Sequence, residues 1–556
     1  MDPDPPDADP RGSVLLRILA QCPRRRLAWA LGASLVAAAA GIGMVAAVNE
    51  GLSGRHDPRW LTLGFAAAAL AGLGGRIAGG LLFARLGEGV LLDMRRSLAA
   101  RVAAAEFARV ERLGAARVQS VMTDDAARVA DFLVAVPNLV MNATIVSGCL
   151  AYLAWTSLAA FALALATILG GSLIFALGHA RALKELDRAG TAQDALFGHF
   201  DGLFSGAKEL KLNRDRADSF LRHSLDDSIA SVREHRLRGL RIYVVAAGAA
   251  LFMVHALIGA LAFGGLSGAG SIVVFLYLMM PLDALLNTLP NAQQARVSMM
   301  RIDRLMAAVA APEPVVARGP ASGFRELRLA GVRHRYYREA EDGMFELGPI
   351  DLALRPGEIV ILIGGNGSGK TTLAKVLTGL YRPESGTITL DGTPVTDADR
   401  DRQRRLFAAV FSDFHLFPTL HGLGGSEAAA GALDGAANAL IAKLELAHKV
   451  SVTGGRLSTR ALSQGQRKRL ALVVAFLEDR PFYLFDEWAA DQDPLFREVF
   501  YRRLLPELRA RGKAVLAISH DDRYFDVADR LLKLESGALV EVGAAPAAAP
   551  AAQAHA

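Results

Sequence analysis

The sequence predicts two different folds in one chain: an all-α bundle of six membrane-spanning helices, then an α/β domain organised around a phosphate-binding loop. Three observations lead there. At 556 residues the chain is too long for one ordinary core, and 52% of it is hydrophobic, with Ala and Gly supplying much of the excess; small residues let helices approach closely in lipid. Six apolar stretches fall in the N-terminal half. In the C-terminal half a strand, a glycine-rich loop and a helix follow one another.

Crossing a bilayer takes about 20 mostly apolar residues. Leu27–Val48, Thr62–Ala84, Phe132–Ala154, Ser157–Ala180, Ile242–Gly265 and Ser271–Leu289 qualify. Arg24, Arg25 and Arg26 ahead of the first stretch resemble the start of a secretory leader, but the uncharged run to Asn49 exceeds the roughly 7 to 15 residues of a leader core. A retained helix is expected. An even number of spans returns the chain to its starting side. Connections are short after the first, third and fifth spans and long, about 85–131 and 181–241, after the second and fourth. The first long loop carries Arg95, Arg96, Arg101, Arg109, Arg112, Arg117 and Arg128, whereas the short connections hold Arg55 and Arg59. Basic residues favour the cytoplasmic side, so the long loops and both termini of this multi-pass chain are expected there.

The formal net charge of +6 is carried by residues flanking apolar runs, which points to lipid headgroups and away from nucleic acid. Cys22 and Cys149, the only cysteines, have no metal or disulfide spacing and are expected to be inert packing. In the long loops Leu91, Met94, Arg95 and Leu98, and again Leu203, Ala207, Leu210 and Lys211, recur at three and four residues. The spans should therefore continue as amphipathic helices beyond the bilayer. Arg76, His255 and Asp283 are ionisable groups inside spans, where such groups face a cavity or partner, or snorkel. Asn138 and Asn142, a helical turn apart, can join helices. Residues 1–14 read as a disordered Asp- and Pro-rich head, 309–322 as a linker marked by Pro312, Pro314, Gly319 and Pro320, and 543–556 as an Ala/Pro-rich tail, leaving 15–308 for the membrane domain and 323–542 for the α/β domain.

Glu358–Ile363 (EIVILI) reads as a buried strand, followed at once by Gly364, Gly365, Asn366, Gly367, Ser368, Gly369, Lys370 and Thr371, then Thr372 and a helical pattern. Glycines let backbone N–H groups turn toward phosphates, and the helix N-terminus adds positive potential. Lys370 can reach the terminal phosphates and Thr371 can ligate Mg²⁺. Further on, Phe482–Phe485 form an apolar strand ending in Asp486 and Glu487. Asp486 is suited there to hold Mg²⁺, and Glu487 to polarise an attacking water. An Asp-Glu pair after a strand is by itself a weak signal, since caps and turns use it too. Just upstream, Leu462, Ser463, Gln464, Gly465 and Gln466 open a basic helix with Arg467, Lys468 and Arg469, a second phosphate site. One chain cannot easily use both sites on one nucleotide.

The phosphate loop, LSQGQ, FYLFDE and His520 after AVLAIS, in that order, resemble the nucleotide-binding domain of ATP-binding-cassette (ABC) transporters. The resemblance implies an ABC exporter-type membrane domain, a homodimer, ATP and Mg²⁺ as cofactors, and hydrolysis coupled to transport. It gives Tyr336 to adenine stacking, His520 to the γ-phosphate, Glu487 to catalysis, and Thr371 and Asp486 to Mg²⁺. Ser463 and Gly465, with Gln466 beside them, would close over ATP held by the partner chain, and Asp493 keeps the nucleotide-site position of the following loop. Without the resemblance Tyr336 is a strand-face aromatic and His520 a turn histidine. Ser412 stands where the family carries a Gln that meets Mg²⁺, so either Ser412 or its neighbour Asp413 takes that place.

FSDFHLF, LSQGQRKRLAL, RPFYLFDEWAADQDP and SHDDRYF, with GAKELKL at Gly206–Leu212, resemble more narrowly the bacterial cyclic-peptide exporters, which include exporters of pyoverdine precursors, syringomycin-type lipopeptides and microcins. This resemblance runs over residues 15–542. It implies export of a peptide or cyclic-peptide product (siderophore precursor, lipopeptide or microcin) across the bacterial inner membrane, amid membrane lipid, with periplasmic or outer-membrane export partners as candidates. A lipid or lipopeptide flippase is the alternative. A nucleotide-sensing membrane regulator that transports nothing is a third reading, and the intact Glu487 and His520 argue against it.

Overall fold

The computed structural model describes residues 22–53, 57–263, 269–309, 324–338, 343–423 and 430–543. The expected head, linker and tail, with Arg55, lie outside the described residues apart from Val309 and Gly543. Backbone packing groups residues up to 99 with 116–307 as a membrane unit, and 100–115 with 308 onward as a C-terminal unit.

In the membrane unit the long helices are α1 (Arg24–Ser53), α2 (Pro58–Ala104, whose last residues from 100 fall in the C-terminal unit), α4 (Ala126–Thr156), α5 (Leu158–Ser205), α6 (Asp226–Phe263) and α7 (Ala269–Ala308); the short helix α3 (Phe107–Leu113) belongs to the C-terminal unit. All six long helices are apolar enough to cross a membrane, and the six expected spans fall on them in order, the last two residues of the fifth, Gly264 and Gly265, lying outside the described residues. At about 1.5 Å per residue, α2 and α5, with 47 and 48 residues, are about 70 Å long against roughly 30 Å of hydrocarbon. They run well past it, as the Leu91–Leu98 spacing predicts for α2, whereas the Leu203–Lys211 pattern straddles Gly206, where α5 ends and a separate short helix, Ala207–Leu212, begins. Leu70, Leu173, Phe252 and Phe263 stand exposed on their outer faces, a surface that lipid covers. Inner faces meet through small residues: a Cβ on Gly75 would lie 2.7 Å from the Ala33 carbonyl oxygen, and one on Gly178 2.2 Å from the Ala246 Cβ. Buried Asp125 accepts a 2.7 Å hydrogen bond from Ser298, fastening the segment that leads into α4 to α7. Arg76 and His255 are exposed, Asn142 is buried and Asn138 exposed.

The C-terminal unit contains two main sheets. β1 (Leu327–Arg338), β2 (Gly343–Leu354), β4 (Ser385–Leu390) and β5 (Thr393–Pro394) form an antiparallel sheet in the order β2-β1-β4-β5. β3 (Ile359–Ile363), β6 (Phe407–Val410), β9 (Phe482–Asp486), β10 (Ala514–Ile518), β11 (Arg530–Glu535) and β12 (Ala538–Gly543) form the second, ordered β12-β11-β3-β10-β9-β6; only β12 pairs antiparallel. β7 (Val452–Thr453) and β8 (Arg456–Leu457) make a small hairpin. Strands of a parallel sheet are covered on both faces, hence the unbroken apolar runs. Side-chain alternation divides them. Val360, Leu362, Leu484 and Leu516 pack toward Leu373, Val376 and Leu377 of α8 (Lys370–Leu377). Ile359, Ile361, Tyr483, Phe485 and Val515 pack with Ala437 and Ile441 of α9 (Ala430–Lys443) and Leu470 and Val473 of α10 (Gln464–Glu478).

Candidate functional site

Because β3, β10 and β9 run parallel, they end on one edge. Leu362 lies opposite Ile518, and Ile518 opposite Asp486, so the loops carrying Gly364–Thr371, His520 and Glu487 leave the sheet side by side. Val410 pairs with Phe485, which brings Ser412 and Asp413 to the same edge.

The phosphate loop is shaped by backbone that only glycine adopts easily. Gly364 has φ 153° and Gly369 φ 101°, and a Cβ on Gly364 would sit 2.3 Å from the Leu534 carbonyl oxygen. Asn366 and Gly367 are exposed at its tip, while Ser368, Lys370 and Thr372 are buried where it enters α8. The Lys370 ammonium folds back across the loop, donating to the carbonyls of Gly364 at 2.8 Å and Gly365 at 3.0 Å, with Glu487 Oε1 at 3.8 Å.

Thr371 Oγ1 donates to Asp486 Oδ2 at 2.9 Å. The other Asp486 oxygen and Ser368 Oγ are buried without a hydrogen-bond partner among the described residues. Buried polar atoms without partners are costly unless a ligand meets them, and a hydroxyl beside a carboxylate is a hard-oxygen donor set that suits Mg²⁺. Burial pushes the Asp486 carboxyl above the ordinary aspartate range; Thr371 and Lys370 oppose that, and the charges of Glu487 and Asp413 reinforce it. Asp413 is exposed on the same sheet edge, near enough for its charge to act on Asp486. Its neighbour Ser412 is exposed as well.

Glu487 follows Asp486 in left-handed backbone, φ 51° and ψ 33°, a strained conformation that a surrounding framework must hold. On its outer side His520 Nε2 lies 3.2 Å from Glu487 Oε1. A positioned carboxylate, an adjacent imidazole, an ammonium and a cation-binding pair are the parts that phosphoryl transfer to water requires.

The chain's whole-length fold matches a bacterial Atm1-family ABC exporter with ATP bound at a TM-score of 0.72, over 93% of this chain and 94% of that one, at 17% identity. The family model described as ABC transporter matches residues 347–490. ATP-binding protein SyrD of Pseudomonas syringae pv. syringae is 34% identical over 91% of this chain and 92% of its own length. The chain belongs to the ABC exporters. An ATP-dependent lipid A-core flippase of Alkalilimnicola ehrlichii is also similar, 35% identical, over 42% of the exporter and 40% of the relative. The exporter is thus a multi-pass membrane protein whose C-terminal unit binds nucleotide and hydrolyses ATP to drive transport.

Ser463, Gly465 and Gln466 lie apart from this cluster in the exporter's hydrogen bonding. Ser463 caps α10 in a reciprocal capping box with Gln466, and a Cβ on Gly465 would approach the Asp491 carbonyl oxygen to 3.0 Å. Asp493 caps the helix Pro494–Val499 and meets Arg469 at 2.5 Å. Tyr336 stands on β1 opposite Phe345, with ring centroids 5.3 Å apart.

Sequence reasoning missed the brace behind Glu487. Lys468, in a basic run that suggests a solvated helix face, is 2% exposed. Its ammonium donates to the Glu487 carbonyl at 2.9 Å and meets Asp491 at 2.6 Å, while Gln464 donates to Asp491 at 3.0 Å. Buried Trp488 donates to the Lys468 carbonyl at 2.8 Å. Only the position of Lys468 one turn before the apolar stripe of α10 hints at this in the sequence. Within the C-terminal unit, Lys375 of α8 meets Glu111 of α3 at 2.7 Å, Tyr381 donates to the same carboxylate, and Arg400 meets Glu106, the residue before α3, at 3.2 Å.

Proposed function

We propose that two copies of this exporter assemble into a homodimer in the bacterial inner membrane, with both termini in the cytoplasm, and export a peptide or cyclic-peptide product. The observation that carries the dimer is the division of the site. Lys370, Thr371, Asp486, Glu487 and His520 gather on one sheet edge, whereas Ser463 and Gly465 make no hydrogen bond to any of them among the described residues. Each ATP then lies between one chain's phosphate loop and the partner's Ser463 and Gly465, with Tyr336 against the adenine.

In this reading Lys370 leaves the Gly364 and Gly365 carbonyls for the terminal phosphates. Thr371 and Asp486 would hold Mg²⁺, which would neutralise phosphate charge, and Ser412 or its neighbour Asp413 takes the part that the family gives to a Gln. Glu487 orients the attacking water and His520 contacts the γ-phosphate. Closure of the two sites draws the helix extensions together; hydrolysis releases them. The resemblance of FSDFHLF, LSQGQRKRLAL and GAKELKL to cyclic-peptide exporters, with likeness to SyrD over 91% of the chain against 63% for a lipid A-core flippase of Xylella fastidiosa at lower identity, favours peptide cargo over lipid.

Purified full-length protein in liposomes tests this directly. ATP-dependent transport of a labelled cyclic lipopeptide is expected with the wild type and absent with Glu487→Gln, which keeps ATP binding. Movement of labelled phospholipid without any of lipopeptide refutes the cargo assignment.

A further inference from the structure

A groove in the membrane unit carries a carboxylate that no cation among the described residues meets. Gly171 and Phe175 of α5, Ala250 of α6, and Leu282 and Leu286 of α7 make apolar walls. Along one side runs a short polar relay: the Tyr243 hydroxyl donates to Asn287 Oδ1 at 3.1 Å, and Asn287 Nδ2 donates to Asp283 Oδ2 at 3.0 Å. Every bond in the relay points toward Asp283. Asp283 lies within the apolar span of α7, where an ionised carboxylate is costly and persists when it has a function. No described Lys, Arg or His pairs with it.

The groove continues. Tyr243 also lines a second pocket, with His179, Asp187, Gln293 and Gln294. There the His179 ring stacks on Phe175, centroids 5.6 Å apart, and neither of its nitrogens has a hydrogen-bond partner among the described residues. On α7, Asp283, Asn287 and Gln294 follow at steps of four and seven and share a helix face. A polar track, which also holds Asp187 and Arg128, thus leads to Asp283 set in an apolar wall.

We propose that Asp283, oriented by Asn287 and Tyr243, receives a primary ammonium group of an amphiphilic peptide cargo, whose apolar part lies against the Phe175 and Leu282 walls. An ionised carboxylate is acceptor-only, so a donor-only cation complements it, and the apolar surroundings strengthen that attraction relative to water. Asn287 and Tyr243 act as positioning residues. The inference rests on the peptide-export reading and narrows its cargo to amine-bearing peptides.

The test uses purified full-length protein in phosphatidylcholine liposomes, with dansyl-labelled polymyxin B, a cyclic lipopeptide bearing free amines, and its peracetylated form as probes. Binding is read by dansyl fluorescence and by stimulation of ATP hydrolysis. We expect Asp283→Asn to weaken binding of the free-amine form about ten-fold or more, a loss of about 1.4 kcal/mol per ten-fold, and Asp283→Glu to restore most of it. Tyr243→Phe is expected to cost less, and the acetylated form to bind weakly to every variant. Restoration by Glu excludes misfolding as the cause. Equal binding of both probe forms to the wild type overturns the proposal while leaving peptide export standing. Stimulation by phosphatidylethanolamine and by neither peptide overturns both.

Discussion

Lys468→Met removes the ammonium behind Glu487 while keeping an apolar side chain of similar reach. Two groups lose their partner: the Glu487 carbonyl, bonded at 2.9 Å, and the Asp491 carboxylate, at 2.6 Å. Removing one member of a fully buried pair costs about 3 to 5 kcal/mol. Here the Lys468 side chain is 3% exposed but that of Asp491 is 39% exposed, so water can solvate the orphaned carboxylate, and Asp491 keeps its bond from Gln464. The loss then approaches that of one charge-assisted hydrogen bond, about 1.5 to 3 kcal/mol, a fall of roughly 3 to 12 °C in the melting midpoint of a domain this size. The kinetic loss should exceed the thermal one. Glu487 sits at φ 51°, and without the brace its carboxylate is free to drift; a displacement of about 1 Å can cost about a hundred-fold in rate. ATPase assays and thermal melts of the full-length variant are compared with Lys443→Met, which removes an exposed pair to Glu507 and should change each by little. Wild-type hydrolysis in a folded Lys468→Met protein would refute the claim that Lys468 holds the catalytic backbone.

Asp486→Asn tests the buried carboxylate by pH. Its folded pKa is raised by burial, so stability from the neutral acid is fully present below the unfolded value of about 3.9 and is lost as pH rises through the folded one. The neutral Asn should therefore raise the nucleotide-free melting midpoint at pH 7, lose that advantage toward about pH 4, and abolish Mg²⁺-dependent stabilisation by ATP; a difference independent of pH contradicts the assignment. Gly465→Ala should lower hydrolysis at least ten-fold while ATP binding persists, because its Cβ would press on the Asp491 carbonyl oxygen; normal turnover would show that the loop yields. Glu111→Ala releases Lys375 and Tyr381 together and is expected to reduce cargo moved per ATP while basal hydrolysis continues, measured by parallel transport and phosphate-release assays. Unchanged stoichiometry would remove α3 from the transport cycle.

The membrane helices and the phosphate loop were legible in the sequence because their signals are local. A span of about 20 residues announces itself by composition alone, and a strand running into glycines, Lys370 and a helix occupies a dozen adjacent positions. The extension of α2 past the bilayer followed from spacings of three and four, whereas the same spacing at Leu203–Lys211 hid the helix break at Gly206. The brace was not legible. Lys468 looks like its neighbours Arg467 and Arg469, and only packing under Trp488 makes it a buried cation. Asp283 showed as a charge in a span, but whether it met lipid, a partner or a cavity depended on how α5, α6 and α7 pack.

What the sequence by itself determined, then, is which segments cross the membrane, which strand feeds the phosphate loop, and which residue types are present for ATP chemistry. Tertiary structure alone decided their meeting. Parallel pairing of β3, β10 and β9 brings Gly364, His520 and Glu487 to one edge, although they lie far apart along the chain. Periodicity reports only what neighbouring residues do within one helix or strand; strand order, register and helix packing are set by contacts between segments, and those contacts place Thr371 against Asp486 and Asp283 in its groove.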